Sequence, residues 1–348
     1  MKLENYHITK VDLHELSDDQ LNELFDFKDI TFRWYEEDDP LPDREQRFYV
    51  IRNRHPHYDE QVWIVRNDKQ QIIATGAFEF ETKESPSFEQ NGHTIGIDIE
   101  VLPKYRRQGL ATKLLKLIID EAVSMQKTVA HIGSSIDSGV HFIEDYLGGK
   151  VGQQGGENRL YLNEVDWKMI DEWIEEGEKR NPNTELFLFE DCPADIIDEY
   201  MKIYTETMNQ QPLGEMEWNY KGTPESRRMQ EKRYHDLDMK WYTLVTKETD
   251  GRITGLTEIF YNPTRTFRLA QNLTGVKKEE RGRGLGKWLK ASMLRRMYEI
   301  YPDIVYITTG NADSNAPMLS INRRMGFKKK RSFKGYKFQI KDLQQKLK

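Results

Sequence analysis

This sequence of 348 residues contains a single cysteine, Cys192. One thiol excludes a disulfide within the chain and is typical of a reducing compartment, so we expect a cytoplasmic protein. No stretch approaches the roughly 18 apolar residues that a membrane helix needs. The first residues form no apolar run either, so we expect neither a membrane association nor a signal peptide.

An excess of positive charge is also missing. The 58 acidic residues outnumber the 52 Lys and Arg residues, which gives a net charge of −6. Proteins that bind nucleic acids generally carry a basic face, so no nucleic-acid partner is expected. No metal site is predicted either. The length is too great for one typical core and favours two domains.

One glycine-rich pattern occurs twice. Residues 106–111 have the pattern Arg-x-x-Gly-x-Ala, and residues 281–286 have Arg-x-x-Gly-x-Gly, about half a chain length later. Each copy follows a β-branched segment and precedes an amphipathic helical pattern. The free N–H groups at the start of a helix, together with the positive end of its dipole, bind anions such as phosphate. The sequence therefore predicts two similar domains, each able to hold a phosphate-bearing ligand.

The segments around the two glycine turns are also similar. Each turn is preceded by a strand–turn–strand pattern and a third strand, which ends at Val101 or at Val276. Each is followed by a helix, a strand, a short helix and a final strand. We predict an α+β fold of two tandem domains, each a mixed, mostly antiparallel sheet flanked by helices. The predicted domains are residues 1–163 and 194–348, joined by a helical connector at 164–193.

This order of elements resembles the GNAT superfamily of N-acetyltransferases. The segments that carry the resemblance are Val101–Ala111 and Val276–Gly286, each a strand end followed by the glycine turn. Two such domains in one chain are similar to the tandem type found in mycothiol synthase-like proteins. The resemblance implies acetyl-CoA as the cofactor. It also implies direct transfer of the acetyl group to a primary amine through a tetrahedral intermediate.

The resemblance also implies which residues bind the cofactor. In the second half, the backbone of Val276 and Lys278 is expected to pair with the pantetheine arm. The amides of the turn are expected to hold the pyrophosphate, and two asparagine side chains complete the set. The residues of that half are Val276, Lys278, Arg281, Gly282, Arg283, Gly284, Leu285, Gly286, Asn311 and Asn315. Those of the first half are Val101, Pro103, Arg106, Arg107, Gln108, Gly109, Leu110 and Ala111.

The two halves differ after the glycine turn. The second half has Asn311 and Asn315 where the family binds CoA, whereas the first half has no asparagine between Gln126 and Leu147. Ser134, Ser135 and Ser138 occupy that region instead. This difference predicts that the C-terminal domain is catalytic and that the N-terminal domain is a reduced copy.

Glu258 is the predicted general base, acting directly or through a water. It lies on a strand, and Glu79 is its counterpart in the first half; the alternative is that both are outward-facing strand residues. Asn209 and Gln210 follow a predicted helix, where the fold borders its acceptor site. They are predicted to bind the acceptor, and an ordinary helix-ending loop is the alternative.

The proton donor for the leaving thiolate stays open. Many family members use a tyrosine three residues before the end of the last short helix. That position is Asn322 in the second half and Glu144 in the first. The thiolate of a thiol with an ordinary pKa of about 8.5 can leave tolerably well without a proton donor.

The predicted function is therefore acetyl-CoA-dependent acetylation of a primary amine. The acceptor is a small molecule or a peptide, and the protein is expected to be a monomer or a homodimer. The alternative is a non-catalytic module that binds CoA or acetyl-CoA for regulation. An RNA-binding element at residues 281–284 is disfavoured, because Glu279 and Glu280 precede it and an amphipathic helical pattern follows it.

Overall fold

The structure is a computed structural model that describes residues 6–348. Residues 1–5, which belong to the segment where no signal peptide was predicted, lie outside the described residues. Among the residues that are described, no helix is both long and apolar enough to cross a membrane.

The described residues form twelve strands and eleven α-helices. The strands are β1 (Tyr6–Val11), β2 (Tyr58–Asn67), β3 (Ile72–Glu81), β4 (Thr94–Val101), β5 (Val129–Ser134), β6 (Val151–Tyr161), β7 (Thr184–Phe189), β8 (Lys240–Glu248), β9 (Ile253–Tyr261), β10 (Arg268–Val276), β11 (Tyr306–Ala312) and β12 (Lys328–Gln339). The helices are α1 (Asp18–Phe32), α2 (Arg44–Arg52), α3 (Phe88–Asn91), α4 (Leu110–Ser124), α5 (Asp137–His141), α6 (Trp167–Arg180), α7 (Ile197–Asn209), α8 (Pro224–His235), α9 (Leu285–Ile300), α10 (Ala316–Met325) and α11 (Ile340–Lys346). A π-helical turn, Phe142–Tyr146, follows α5.

The chain forms two compact units, each made of separated segments. Of the described residues, the N-terminal unit contains 6–154, 213–219 and 333–348. The C-terminal unit contains residues 155–212 and 220–332.

Each unit has a mixed, mostly antiparallel sheet with the same plan. In the N-terminal unit the strand order is β1-β2-β3-β4-β5-β12, and in the C-terminal unit it is β7-β8-β9-β10-β11-β6. Four neighbouring pairs in each order are antiparallel, while β4–β5 and β10–β11 are parallel. The predicted α+β fold with two tandem domains is confirmed.

The bounds of the units differ from the predicted linear domains. Residues 334–339 of β12 pair with β5 and complete the N-terminal sheet, although they come from the end of the chain. Residues 155–161 of β6 pair with β11 and complete the C-terminal sheet. Strands pair through backbone hydrogen bonds that every residue type offers, so the sequence pattern did not indicate which sheet each final strand joins.

The predicted connector at residues 164–193 is an integral part of the C-terminal unit. It contributes helix α6, whose buried residues include Ile170 and Trp173, and the edge strand β7. The helix forms because apolar residues recur at helical spacing after the N-cap Asp166, whose side chain accepts a hydrogen bond from the Met169 N–H.

Each sheet buries one long helix that starts at a glycine turn. Helix α4 places Leu114, Leu115 and Ile118 in the N-terminal core. Helix α9 places Leu289, Met293 and Met297 in the C-terminal core. The apolar face of each helix therefore fixes the position of the turn that precedes it, at the end of the central strands.

Candidate functional site

The two parallel strands of the N-terminal unit pair over only part of their length. The pairing between β4 and β5 runs from Thr94 opposite Val129 to Ile97 opposite Ile132. Beyond that point both strands continue, and Asp98, Val101 and Ser134 line a cavity. Backbone groups at such a divergence can pair with an extended ligand as an added strand would.

This β4–β5 cavity has a volume of about 620 Å³. It is lined by the following residues of the N-terminal unit: Trp34, Tyr35, Ile97, Asp98, Ile99, Val101, Tyr105, Arg106, Arg107, Gly109, Leu110, Ala111, Thr112, Leu115, Ile132, Gly133, Ser134, Ile136, Ser138, Gly139, His141, Phe142, Ile143, Asp145 and Tyr146. The lining joins the glycine turn to the point of strand divergence, so one elongated ligand could contact both.

The N-terminal glycine turn is open on its outer side. Gly109 has φ +81° and is the N-cap of α4. A Cβ atom built on Gly109 would meet no heavy atom within 4 Å, and Arg107 also has a positive φ, +61°. The backbone N–H groups of the first helical turn have no partner within the helix. The geometry suits a phosphate group bound by backbone amides at a helix N-terminus.

Arg106 is held at the side of this turn. Its Nε donates to the Val101 carbonyl oxygen at 2.9 Å, and its Nη1 donates to Ser138 Oγ at 3.2 Å. Its guanidinium carbon lies 4.6 Å from the centre of the Trp34 ring. These contacts fix a positive charge at the cavity wall, where it would favour an anionic ligand.

Three exposed carboxylates lie on one face of the N-terminal sheet. Glu60 lies opposite Glu79, which lies opposite Gly96, and Asp98 follows two residues later on the same face. Although these side chains reach solvent, the surrounding protein partly desolvates them. This raises the pKa of Asp98, which Lys28 partly offsets, and together with Asp98 it raises the pKa of Glu79. Of these carboxylates, Asp98 also lines the β4–β5 cavity. A carboxylate with a raised pKa beside a cavity is suited to accept a proton.

A π-helical turn places a tyrosine at the cavity. Tyr146 lines the cavity and is 42% exposed. Glu144, the residue found by counting along the sequence, instead accepts hydrogen bonds from Lys334 Nζ at 2.9 Å and from the Tyr336 hydroxyl at 2.8 Å. These two bonds lower the pKa of Glu144. A π-turn contains more residues than an α-turn, which changes which side chain faces the cavity.

The C-terminal glycine turn has the same backbone shape but is covered by the protein itself. Gly284 has φ +83°, and a Cβ atom built there would lie 3.3 Å from Arg180 Nη1. Arg180 Nη2 donates to the Gly282 carbonyl oxygen at 3.0 Å, and Asn181 Nδ2 donates to the Arg283 carbonyl oxygen at 3.4 Å. The end of α6 therefore packs against the turn that was predicted to hold pyrophosphate.

The arginines of this C-terminal turn are paired with other residues of the unit. Arg283 donates to Glu248 at 2.8 Å and to Glu280 at 2.6 Å, and the bond to Glu280 lowers the pKa of that carboxyl. Arg281 donates to the Gln210 side-chain oxygen at 2.6 Å. Phosphate binding by these side chains would have to compete with existing charge-assisted hydrogen bonds.

A buried lysine lies beside strand β10 in the C-terminal unit. Leu115 lines the N-terminal cavity six residues after Gly109, and the residue six positions after Gly284 is Lys290. Lys290 is 1% exposed, and its Nζ lies 3.3 Å from Gln271 Oε1. Burial lowers its pKa to about 7. A cationic or polar group thus occupies a position that is apolar and cavity-lining in the other unit.

Glu258 is fully buried in the C-terminal core, 0% exposed. Its carboxylate accepts hydrogen bonds from the Tyr200 hydroxyl at 2.6 Å, from Trp241 Nε1 at 3.0 Å and from Asn272 Nδ2 at 3.0 Å. Arg227 Nη1 lies 3.4 Å away. Burial raises the pKa of Glu258. All of these partners are protein groups, so the geometry favours a role in stability over proton transfer to a substrate.

The structure gives protein partners to the other predicted residues of the C-terminal half. Val276 lies opposite Gly255 on β9, and the Lys278 N–H donates to Glu206 Oε1 at 3.3 Å. Asn311 Oδ1 accepts from Asn322 Nδ2 at 2.8 Å.

Asn315 is the N-cap of α10, and its side chain accepts from the Met318 N–H. Asn209 exchanges two hydrogen bonds of 2.8 Å with the Tyr220 backbone. Gln210 donates to Glu206 Oε1 at 2.6 Å and accepts from Arg281. The structure thus brings Gln210 to the glycine turn, while Asn209 fastens the end of α7.

Several cavity residues were not predicted from the sequence. Trp34 and Tyr35 lie just after α1, much as Asn209 and Gln210 lie at the end of α7, so the same argument applied to the first half would have named them. Asp98 lies eleven residues before Gly109, where the second half has Leu273, and this polar-for-apolar difference was a usable signal.

Comparisons with known proteins agree with this geometry. Residues 23–148, which contain the N-terminal turn and nearly all of the cavity lining, match the model of the Acetyltransferase (GNAT) family. No curated protein matches the chain at a significant level.

Two solved structures share the fold over the whole chain. A tandem GNAT protein from the clavulanic acid biosynthesis pathway has a TM-score of 0.72 and 17% identity, with 97% of this chain and 99% of that chain covered. A GCN5-related N-acetyltransferase from Sphaerobacter thermophilus has a TM-score of 0.65 and 13% identity, with 96% of each chain covered. At these identities the likeness concerns the fold alone.

Proposed function

We propose that this protein transfers an acetyl group from acetyl-CoA to a primary amine, because residues 23–148 match the model of the GNAT acetyltransferase family and the whole chain shares the fold of a tandem GNAT protein. The observation that carries the proposal is the β4–β5 cavity, which joins the open turn at Gly109 to the divergence at Asp98. We place the reaction in the N-terminal unit, although the sequence favoured the C-terminal one.

The cofactor would bind along this cavity. The amides after Gly109 would hold the pyrophosphate, with Arg106 and Arg107 supplying positive charge. The pantetheine arm would pair with the backbone of β4 up to Val101, in the manner of an added strand. When bound, acetyl-CoA supplies the thioester that the amine attacks.

Asp98 would accept the amine proton, directly or through a water. It lines the cavity at the strand divergence, and desolvation by the surrounding protein raises its pKa above the ordinary value of an aspartate, which makes the carboxylate a stronger base. Glu79 and Glu60 on the same face would favour a cationic amine near Asp98. Tyr146 would protonate the leaving thiolate from the other side of the cavity.

The C-terminal unit would then have no cofactor of its own. Its turn is covered by Arg180 and Asn181, and Lys290 lies beside β10 where the other unit has the cavity-lining Leu115. The prediction that Glu258 is the base and that residues 276–315 bind CoA stays testable, and we give the opposing outcomes below.

The direct test is a screen of primary amines with acetyl-CoA, in which the free thiol of CoA is detected as it is released. We expect release that depends on the amine and is lost in Arg106→Glu, because a negative charge would replace the cation at the cavity wall. The matched control is Arg281→Glu at the equivalent position of the C-terminal turn, which we expect to keep most of the activity. CoA binding without release with any amine would favour the alternative of a regulatory CoA-binding module.

A further inference from the structure

Two residues mark the point where β4 and β5 stop pairing in the N-terminal sheet. The last paired residues of β4 and β5 are Ile97 and Ile132, so Asp98 and Gly133 are the first residues on either side of the divergence. Both line the cavity. An amine that approaches the thioester from this face of the sheet would lie next to both residues.

The sheet surface beside this point consists of glycine backbone without side chains, and we call it the glycine surface. A Cβ atom built on Gly133 would meet only the Lys334 carbonyl oxygen, at 3.7 Å. Gly133 lies opposite Gly335 on β12, so two glycines are direct neighbours on adjacent strands. The exposed backbone at Gly133 is one strand spacing wide, about 4.8 Å, which is close to the width of a single methylene chain.

Met216 packs over the glycine surface at Gly335. Its Sδ and Cε atoms each lie 3.6 Å from the Cβ position of Gly335, and its Sδ lies 3.6 Å from that of Gly152. Asp98 and Met216 therefore flank Gly133, one carrying a carboxylate and the other an apolar, flexible thioether. This arrangement matches a ligand with a positive charge at one end and methylene groups behind it.

The segment that carries Met216 is fastened to the N-terminal unit on both sides. Residues 213–219 belong to that unit, although they follow α7 in the chain. The Glu217 N–H donates to His131 Nε2 at 3.3 Å, and the Glu217 carboxylate pairs with Lys337 Nζ at 2.7 Å. Asn219 N–H donates to Asn91 Oδ1 at 3.0 Å. Met216 is thereby held in place over Gly335.

From this geometry we infer that Met216 determines the acceptor specificity of the proposed reaction, and that the acceptor is an unbranched aliphatic primary amine. Its ammonium group reaches Asp98, its first methylenes cross Gly133, and Met216 contacts them from the side. A branch on the carbon next to the amine would widen the acceptor toward Met216, which lies over the neighbouring Gly335. This inference rests on the proposed function.

The test compares two isomeric amines, 1-aminohexane and 2-aminohexane, as acceptors with acetyl-CoA. For the wild-type protein we expect kcat/KM to favour the unbranched isomer at least about tenfold, equivalent to about 1.4 kcal/mol. Met216→Ala should reduce this ratio to near one, by admitting the branched isomer. Met216→Leu, of similar volume, should keep the preference.

The matched control is Glu215→Ala, because Glu215 is the exposed neighbour on the same segment. Among residues 6–348 its backbone N–H donates to the Gly152 carbonyl oxygen, while its side chain makes no hydrogen bond. We expect Glu215→Ala to keep the wild-type ratio. CoA affinity measured by calorimetry should be unchanged in all three variants, which confirms that they are folded.

Each other outcome contradicts a defined statement. An unchanged ratio in Met216→Ala, with both isomers acetylated, overturns the role of Met216 and leaves the proposed function intact. Acetylation of other amines but of neither isomer overturns the acceptor class. Absence of thiol release with every amine overturns both the proposed function and this inference.

Discussion

The two glycine turns have nearly the same backbone but opposite surroundings. Gly109 and Gly284 have φ values of +81° and +83°, and each precedes a long helix. No heavy atom lies within 4 Å of a Cβ position built on Gly109, whereas Arg180 lies 3.3 Å from that of Gly284. The backbone shape of the motif is therefore not sufficient for an open anion site, because the residues that pack against the turn decide whether it is open.

The glutamates that correspond to each other in the two halves show the same contrast. Glu79 is exposed on a sheet face that also carries Glu60 and Asp98. Glu258 is enclosed by Tyr200 and other protein donors. Among the described residues, Glu258 is thus surrounded by hydrogen-bond donors that Glu79 lacks, so the same residue type has a structural environment in one unit and a solvent-facing one in the other.

The largest effect is expected from placing a negative charge in each turn. Gly109→Asp should weaken CoA binding more than about 100-fold, or about 2.7 kcal/mol, because a carboxylate would stand where the phosphate binds. The backbone strain of a side chain at a left-handed position is common to both variants and does not distinguish them. Gly284→Asp should leave CoA binding and turnover nearly unchanged, since Arg180 is close enough to neutralise the new carboxylate. Thiol release measured for both variants shows which unit carries the reaction. The reverse pattern would place the reaction in the C-terminal unit.

The next largest effect is expected from the base. Asp98→Asn should lower kcat by about 10²–10⁴-fold at neutral pH, while CoA affinity stays the same. Because burial raises the pKa of Asp98, the wild-type rate should rise with pH as this carboxyl ionises, and the variant should lack that step. The loss should shrink at high pH, where more of the amine is already deprotonated. A pH–rate profile identical to the wild type would exclude Asp98 as the base.

A smaller effect is expected from the hydroxyl of the π-turn. Tyr146→Phe should reduce kcat about tenfold, less than the loss of the base, because a thiolate leaves tolerably well without a proton. The control is Tyr336→Phe, which removes a hydroxyl bonded to Glu144 away from the cavity lining. Steady-state rates of both variants measure the contribution of each hydroxyl. Equal rates for Tyr146→Phe and the wild type would show that Tyr146 does not protonate the thiolate.

The smallest effect on the rate is expected at Glu258. Glu258→Gln puts an amide N–H group against the Asn272 amide, which now donates to the carboxylate at 3.0 Å. The free energy of unfolding should fall by about 1–3 kcal/mol, while kcat stays within about twofold. Urea unfolding and thiol release measure the two quantities. A rate loss of the size expected for a base, with unchanged stability, would restore the prediction made from the sequence.

Much of the fold could be predicted from the sequence because it depends on local patterns. The hairpins, the third strands ending at Val101 and Val276, and the helices after the turns follow from hydrophobic periodicity and from glycine placement. The exchange of β6 and β12 could not be predicted, since strand pairing does not depend on which copy supplies the strand.

Whether each glycine turn is open or covered by other residues could not be predicted either. The residues that cover the C-terminal turn, Arg180 and Asn181, lie about a hundred positions away in the sequence, where they only mark the end of a helix. The π-turn at Phe142–Tyr146 shifted the tyrosine position that counting had assigned to Glu144. The asparagine pair that favoured the second half proved to bond to the protein itself: Asn311 to Asn322, and Asn315 to the first turn of α10.

The number of CoA molecules that bind to one chain tests the central claim most directly. In a calorimetric titration with CoA we expect one site per chain, absent in Gly109→Asp and retained in Gly284→Asp. Two sites in the wild-type protein, or a single site that only Gly284→Asp removes, would contradict the conclusion that the N-terminal turn alone is open to the cofactor.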